Sequence, residues 1–234
     1  MISDTVSEAR TLTTRIYRDL RADIMTCRLK PGEKLRIAVV KDRYGSSLSA
    51  AREAMTRLAA EGWLTSEDQR GFTVAGVSQS ELADLFLTRT RIECLALEQA
   101  IAAKDPIWEA DVITAYGNLV RCQGQEEAYW LNENWVAAHN QFHRALIAGC
   151  GSPSLIAIAE SLAERGQRYR YLSSVTPSHR DGRSEHRALF EAVLSRDVAA
   201  GQAILAEHYE TTTQILMGGE GLLPTEIDIG EVEA

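Results

Sequence analysis

The stretch HNQFH places His139 and His143 four residues apart, which puts both imidazoles on one face if the segment is helical. His186, in SEHRALFEAVLSRD, and His208, in AEHYETTTQIL, fall on two further segments of helical pattern. Neutral imidazole is a good ligand for Zn²⁺, Ni²⁺ or Cu²⁺, and an i, i+4 pair lets one helix supply two ligands. Three helices of one bundle can therefore aim His139, His143, His186 and His208 at one cavity. A histidine on a half-apolar face is also commonly a hydrogen-bonded core residue, and spacing alone leaves both readings open. His179, in TPSHRDGR, is expected in an exposed loop.

Other chemistry finds less support. The chain has no HExxH, no paired Glu-x-x-His set and no G-x-S-x-G, so the motifs of helical metalloenzymes and of activated-serine hydrolases are missing. A metal-dependent helical enzyme using the histidine cluster is the alternative reading. GCGSP (149–153) is expected to be a turn and not a phosphate loop, because no strand precedes it. The four cysteines form no CxxC pair, which suits reduced thiols and a cytoplasmic location. No apolar run reaches the ~18–20 residues that span a bilayer, and MISDTVSEAR does not read as a secretory signal. No membrane partner is expected.

The elements that must position these residues follow from apolar spacing. Leu12, Ile16, Leu20 and Ile24 recur every four residues and predict an amphipathic helix. Pro31-Gly32 breaks it, RIAVVKDRYG reads as a short helix ended by Gly45, and SSLSAAREAMTRLAAEG as a third helix ended by Gly62. WLTSEDQRGFTVAGV has β-prone ends around a polar tip, a hairpin with Gly71 near its turn. Three short helices and a hairpin make a winged helix-turn-helix, whose third helix enters the major groove while the wing reaches the backbone. Ser47 and Ser49 at the start of that helix can meet phosphates, and Arg52 lies one turn on, within reach of a guanine edge. Arg36 and the wing-tip Arg70 add positive charge. Residues 1–77 hold 13 Lys/Arg against 10 Asp/Glu, whereas the remainder holds 12 against 23, so the net −8 conceals a basic module and an acidic one. From Ser78 to about Met217 the pattern is helical throughout, with Leu82, Leu85, Phe86, Ile92, Leu95 and Leu97 as the predicted apolar face of the first helix. The fold class expected is mainly α: an N-terminal winged helix-turn-helix and a C-terminal all-α bundle of six or seven helices. Its bounds are an N-terminal arm at 1–9, the DNA-binding domain at 10–77, the bundle at 78–217 and an acidic flexible tail at 218–234.

Residues 29–77 resemble the DNA-binding domain of GntR-type bacterial transcription regulators. The resemblance rests on Leu29, Pro31-Gly32, Leu35, Gly45, Ser47, Arg52-Glu53-Ala54, Arg57-Leu58, Glu61-Gly62 and the wing Arg70-Gly71. One departure is Leu48, where the family usually carries arginine; Arg36 is the candidate to compensate in part. LFLTRTRIECLAL, HNQFHRALIAGCGSPSL and SEHRALFEAVLSRDVAAGQAILAEHY resemble the FCD effector-binding domain of the FadR subfamily. KLRI, QRGF and CGSP are similar to its CsiR-like branch. The resemblance implies a divalent metal held by His143, His186 and His208, with His139 in place of the usual Asp. Loss of that carboxylate favours Zn²⁺ or Ni²⁺ over Mg²⁺ or Mn²⁺; the same four histidines can instead meet an effector carboxylate directly. It also implies that Arg89 grips the carboxylate of a small effector, a dicarboxylate or hydroxy acid. On the residues alone, Arg89 reads equally as a surface partner of Glu93 at i+4. Of Arg165, Arg168, Tyr169 and Tyr171, one is expected to line the pocket. Together these readings describe a ligand-responsive repressor of double-stranded operator DNA, a homodimer because one winged helix covers one half-site.

Overall fold

The computed structural model describes residues 2–67, 71–123, 132–176, 178, 180–218 and 223. Arg70, His179 and nearly all of the segment 218–234 lie outside the described residues. The chain divides between Ser78 and Gln79 into two compact units.

In the first unit, α1 (Ile2–Met25), α2 (Ile37–Arg43) and α3 (Leu48–Ala60) are followed by β2 (Leu64–Glu67) and β3 (Gly71–Val74). Helix α1 begins at Ile2, so the stretch set apart above as an arm continues the same helix. Ile16, Leu20 and Ile24 are fully buried, as their four-residue spacing predicts. Leu20 and Ile24 meet Met55 and Leu58 of α3, Trp63 and Val74 in one dry core, and Ile16 packs beside it on Ala50 and Ala54. Gly45 and Gly62 end α2 and α3 with φ of +59° and +80°, a conformation that glycine adopts without strain. One element escaped the sequence reading. The two-residue strand β1 (Lys34–Leu35) pairs antiparallel with β3, Lys34 opposite Thr73 and Leu35 opposite Phe72, giving the sheet order β1-β3-β2. A side chain at Gly71 would bring its Cβ to 3.0 Å from the Leu35 carbonyl oxygen, so this pairing needs glycine at the base of the wing.

Surface polar groups fasten this unit. Asp23 of α1 accepts hydrogen bonds from Arg28 (2.6 Å), Tyr44 (2.6 Å) and Arg43 (2.9 Å). Burial by itself would raise the Asp23 pKa; the Tyr44 and Arg28 hydrogen bonds and the Arg28 and Arg43 charges outweigh it and hold the carboxyl below its ordinary value. Arg57 of α3 lies 3.8 Å over the Tyr17 ring and bonds Glu61, which also accepts from Tyr17.

The second unit is helical: α4 (Gln79–Ala103), α5 (Pro106–Gln123), α6 (Glu133–Ala148), α7 (Pro153–Val175), α8 (Gly182–Leu194) and α9 (Val198–Gly218). Caps fix the starts. Asn132, Ser152 and Asp181 accept from the backbone N–H groups of Asn134, Leu155 and Ser184, and Pro153 occupies the first turn of α7. GCGSP is a turn with Gly151 at φ +72°. Gly149 there admits no Cβ, because the Trp108 ring would stand 2.7 Å away. Along α4 the inward face differs from the predicted one. Leu82, Leu85, Phe86 and Leu97 are buried, but Leu95 is 44% exposed, and the buried stripe runs instead through Arg89, Glu93 and Ala96. A charged pair thus occupies positions that the apolar pattern assigned to leucine.

Candidate metal and ligand centre

His139 and His143 come from α6, His186 from α8 and His208 from α9; all four are buried, and one nitrogen of each lies within 4.8 Å of the others. Their outer nitrogens determine what faces inward. His186 Nδ1–H donates to the Gly182 carbonyl. His208 Nδ1 lies 2.8 Å from Glu185 Oε2, which can only accept, and 3.0 Å from Arg180 Nη2, which can only donate. His143 Nδ1–H donates to the Tyr209 hydroxyl oxygen at 3.3 Å, while that hydroxyl donates to Glu93 Oε2 at 2.5 Å. Glu93 in turn accepts from Arg89 Nε at 2.6 Å. His186 and His143 are thereby held in the tautomer that turns a bare Nε2 lone pair to the centre.

That arrangement tests whether a metal fits. His143 Nε2 and His186 Nε2 stand 3.4 Å apart with neither proton between them. Two lone pairs facing each other at this distance repel unless a cation or a proton lies between. Nitrogens bound to one tetrahedral ion at about 2.0–2.1 Å would be separated by roughly 3.3 Å, so the donor set suits a transition-metal ion. Burial is the largest influence on the four imidazoles and lowers their proton affinity. Neighbouring imidazole and arginine charges lower it further for His139, His143 and His208. For His186, burial and the Arg180 charge outweigh the Gly182 hydrogen bond and the Glu185 charge, and its pKa falls to about 4. Neutral imidazole, the ligand form, prevails near pH 7.

Three of the four histidines, His139, His186 and His208, form one wall of a cavity of about 320 Å³, with His143 behind them. Phe86 and Arg89 of α4, Trp135 of α6, Arg170 of α7, Arg180 and Tyr209 complete much of the lining. The Trp135 ring lies 4.8 Å from His139. Arg180 donates to Glu185 (2.7 Å), to Thr212 (2.8 Å) and to the His208 carbonyl (2.9 Å), tying the segment before α8 to α9. Arg89 lines the cavity as expected, but its pairing with Glu93 is an internal contact and not a surface one: the residues are 8% and 2% exposed. Its guanidinium also stacks 4.3 Å over Tyr209, and Gly166 makes room for it, since a Cβ there would sit 3.3 Å from Arg89 Nη1.

The sequence reading missed Arg170, Arg180, Glu185, Glu93 and Tyr209 as members of the site. Arg165, Tyr169, Arg168 and Tyr171, from which a pocket residue was to come, do not line it; Arg165 and Tyr169 instead donate to Glu81 at 3.2 and 2.7 Å. The available signal was adjacency: Glu185 precedes His186 and Tyr209 follows His208.

At the other expected site, Ser47 is the N-cap of α3 and accepts from the Ala50 N–H at 3.2 Å; its hydroxyl also meets that of Ser49 at 3.2 Å. Leu48, Ser49 and Arg52 are exposed on the first turns of α3, and Arg36 is exposed at the N-cap of α2, where its side chain makes no capping bond. Gly71 opens β3, and Arg70 is outside the described residues.

Comparison with known proteins agrees with both units. Residues 12–74 match the pattern of bacterial regulatory proteins of the gntR family, and residues 84–211 match the FCD domain. The chain is 34% identical over 206 residues to the HTH-type transcriptional repressor GlaR of Escherichia coli K12, covering 86% of this chain and 93% of that one. It is 32% identical over 214 residues to the HTH-type transcriptional regulator BphR of Paraburkholderia xenovorans LB400, covering 90% and 87%. Among solved structures, E. coli McbR/YncC shares the fold with a TM-score of 0.68 at 23% identity, over 88% of this chain and 97% of that one. Among the described residues, no helix is long and apolar enough to cross a membrane. The chain belongs to the GntR family of bacterial helix-turn-helix transcription regulators, in the subfamily whose second domain is FCD.

Proposed function

We propose that the protein is a homodimeric repressor that leaves its operator when a small carboxylate, a dicarboxylate or a hydroxy acid, enters the cavity of the helical unit. The observation that carries this reading is the cluster of four buried imidazoles, with two ring nitrogens 3.4 Å apart and three of the rings lining a cavity that arginines also line. His139, His143, His186 and His208 would hold Zn²⁺ or Ni²⁺, because four nitrogen donors without a carboxylate suit these ions better than Mg²⁺ or Mn²⁺. The bound ion supplies a positive Lewis-acidic centre for a carboxylate oxygen. Gly182 and Tyr209 hold His186 and His143 in the ligating tautomer, and Glu185 meets Nδ1 of His208. Arg89 adds positive charge beside them, tempered by Glu93.

In the first unit, Ser47, Ser49 and Arg52 of α3 and Arg36 beside α2 would meet phosphates and base edges, with Arg70 and Gly71 at the wing. A ligand that contacts α4, α7, α8 and α9 together favours one packing of these helices over another, and it can shift the equilibrium only by its differential affinity for the two. In a dimer, a change in the separation of two recognition helices loses contacts at one half-site, a loss of several kcal/mol.

The test uses the full-length protein. Operator fragments are recovered from a random-sequence duplex library, and their affinity is followed by fluorescence anisotropy against small carboxylates and against salt. Affinity should fall steeply and linearly on a log–log scale with salt, and by about tenfold or more with at least one acid. If every acid left the affinity unchanged, the switch would be wrong; flat, weak binding to all duplexes would remove the operator reading.

A further inference from the structure

Three arginines line the cavity, and they are not equivalent. Arg89 is neutralised by Glu93 at 2.6 Å and Arg180 by Glu185 at 2.7 Å. Arg170 has no carboxylate partner among the described residues, and its buried Nε makes no hydrogen bond. Its guanidinium lies 5.9 Å from the Trp135 ring, the same indole that stacks on His139. Burial, and then the charges of Arg89 and Arg180, lower its pKa to about 10, so it remains protonated near neutrality. The residue is half-buried, and a cation partly withdrawn from water without a counter-ion is costly.

The neighbouring hydroxyls do not offer their protons to an anion. Ser173 donates to the Arg170 carbonyl, Ser174 to the Tyr171 carbonyl and Thr176 to the Leu172 carbonyl, at 2.7–2.9 Å, so these protons are committed to the backbone of α7. On this side of the cavity the guanidinium is the charged group left to meet a ligand. Both it and His139 neighbour the Trp135 ring.

We propose that Arg170 binds a second anionic group of the ligand: the effector is a dianion, with one carboxylate at the imidazole centre and the other on the Arg170 guanidinium. This rests on the carboxylate reading of the site proposed above and narrows it to diacids. Arg89, already tied into the chain that orients His143, is then a positioning residue and not the second anchor. Guanidinium–carboxylate pairing supplies both charge and a forked geometry, so it selects against a ligand that ends in a methyl or hydroxyl group.

The experiment is titration calorimetry of the metal-loaded full-length protein with straight-chain α,ω-dicarboxylates of three to six carbons. Each is compared with the monocarboxylate of equal length and with the corresponding 2-hydroxy monocarboxylate. One diacid should bind about tenfold to a hundredfold more tightly than its monoacid, the range of a hydrogen-bonded charge pair. In Arg170→Gln that ratio should collapse towards one, and in Arg170→Lys it should be intermediate; thermal melts confirm that both variants are folded. Monoacids or hydroxy acids binding as well as the diacids, or a ratio unchanged in Arg170→Gln, would overturn the role of Arg170 while leaving a carboxylate site. Failure of every acid to bind would overturn the underlying reading as well.

Discussion

The two units of this chain treat polar groups in opposite ways. In the winged helix the interior is hydrocarbon: Leu20, Ile24, Met55 and Leu58 are fully buried, and the ionic contacts of Asp23, Arg43 and Arg57 ring the outside. In the bundle, Arg89, Glu93, Arg168 and four histidines are buried inside. Buried ionisable groups are a poor way to gain stability, because desolvation offsets most of their attraction. A dry core suits a unit that must present α3 rigidly. A polar core is retained where the interior itself has to recognise something. The contrast can be broken or sharpened by substitutions read separately in each unit, through hydrogen exchange of intact protein.

The largest effect is expected from Glu93→Ala, which leaves Arg89 buried without its counter-ion and frees the Tyr209 hydroxyl. Loss of one partner of a buried pair costs about 3–5 kcal/mol. Exchange in α4 and α9 should quicken accordingly, and exchange in α1 and α3 should not; equal acceleration in both units would mean that the contrast is false.

Metal removal comes next. An ion bound only by the native state stabilises by about 2.7 kcal/mol at a hundredfold excess over its dissociation constant. Dialysis against chelator, or His143→Ala, should weaken protection in α6, α8 and α9, and metal analysis should find about one ion per wild-type chain and none in the variant. Unaltered exchange together with absent metal would reduce the cluster to a polar wall.

Ser47→Ala removes the N-cap of α3 and is expected to destabilise the first unit by about 1 kcal/mol. Its operator affinity should fall beyond what stability explains if the hydroxyl also meets phosphate. Thermal unfolding and anisotropy on the same sample separate the two.

The smallest effect is a pH dependence. The Asp23 carboxyl has a folded pKa below its unfolded value of about 3.9, so its contribution is complete above that value and is lost as pH falls through the folded one. Exchange in α1 and α2 should therefore accelerate below about pH 4 in wild type relative to Asp23→Asn. Parallel curves would show that the Tyr44, Arg28 and Arg43 contacts contribute nothing through ionisation.

Much of this architecture was legible because apolar spacing reports local geometry. The Ile16, Leu20 and Ile24 period placed α1, and the i, i+4 pair placed two imidazoles on one face of α6. The strand β1 was not legible: two residues carry no period, and their partners Phe72 and Thr73 lie far along the chain. Nor was the inward turn of Arg89 and Glu93. Charged side chains read as exposed unless a partner is known, and theirs, Tyr209, comes from α9. Arg170 and Arg180 escaped for the same reason, since the cavity they face exists only once α4, α6, α7 and α9 have packed. The residue types announced what chemistry was available; which of them met was decided by tertiary contacts with no local signature.

The indole of Trp135 neighbours both parts of the arrangement, with the His139 ring 4.8 Å and the Arg170 guanidinium 5.9 Å from it. Tryptophan emission responds to the charges and the solvent around its ring. A transition-metal ion arriving at the imidazoles and an anion settling on the guanidinium would each change that field, from different directions. The protein therefore carries a native optical gauge in its own pocket, by which occupancy can be followed without a dye or a label.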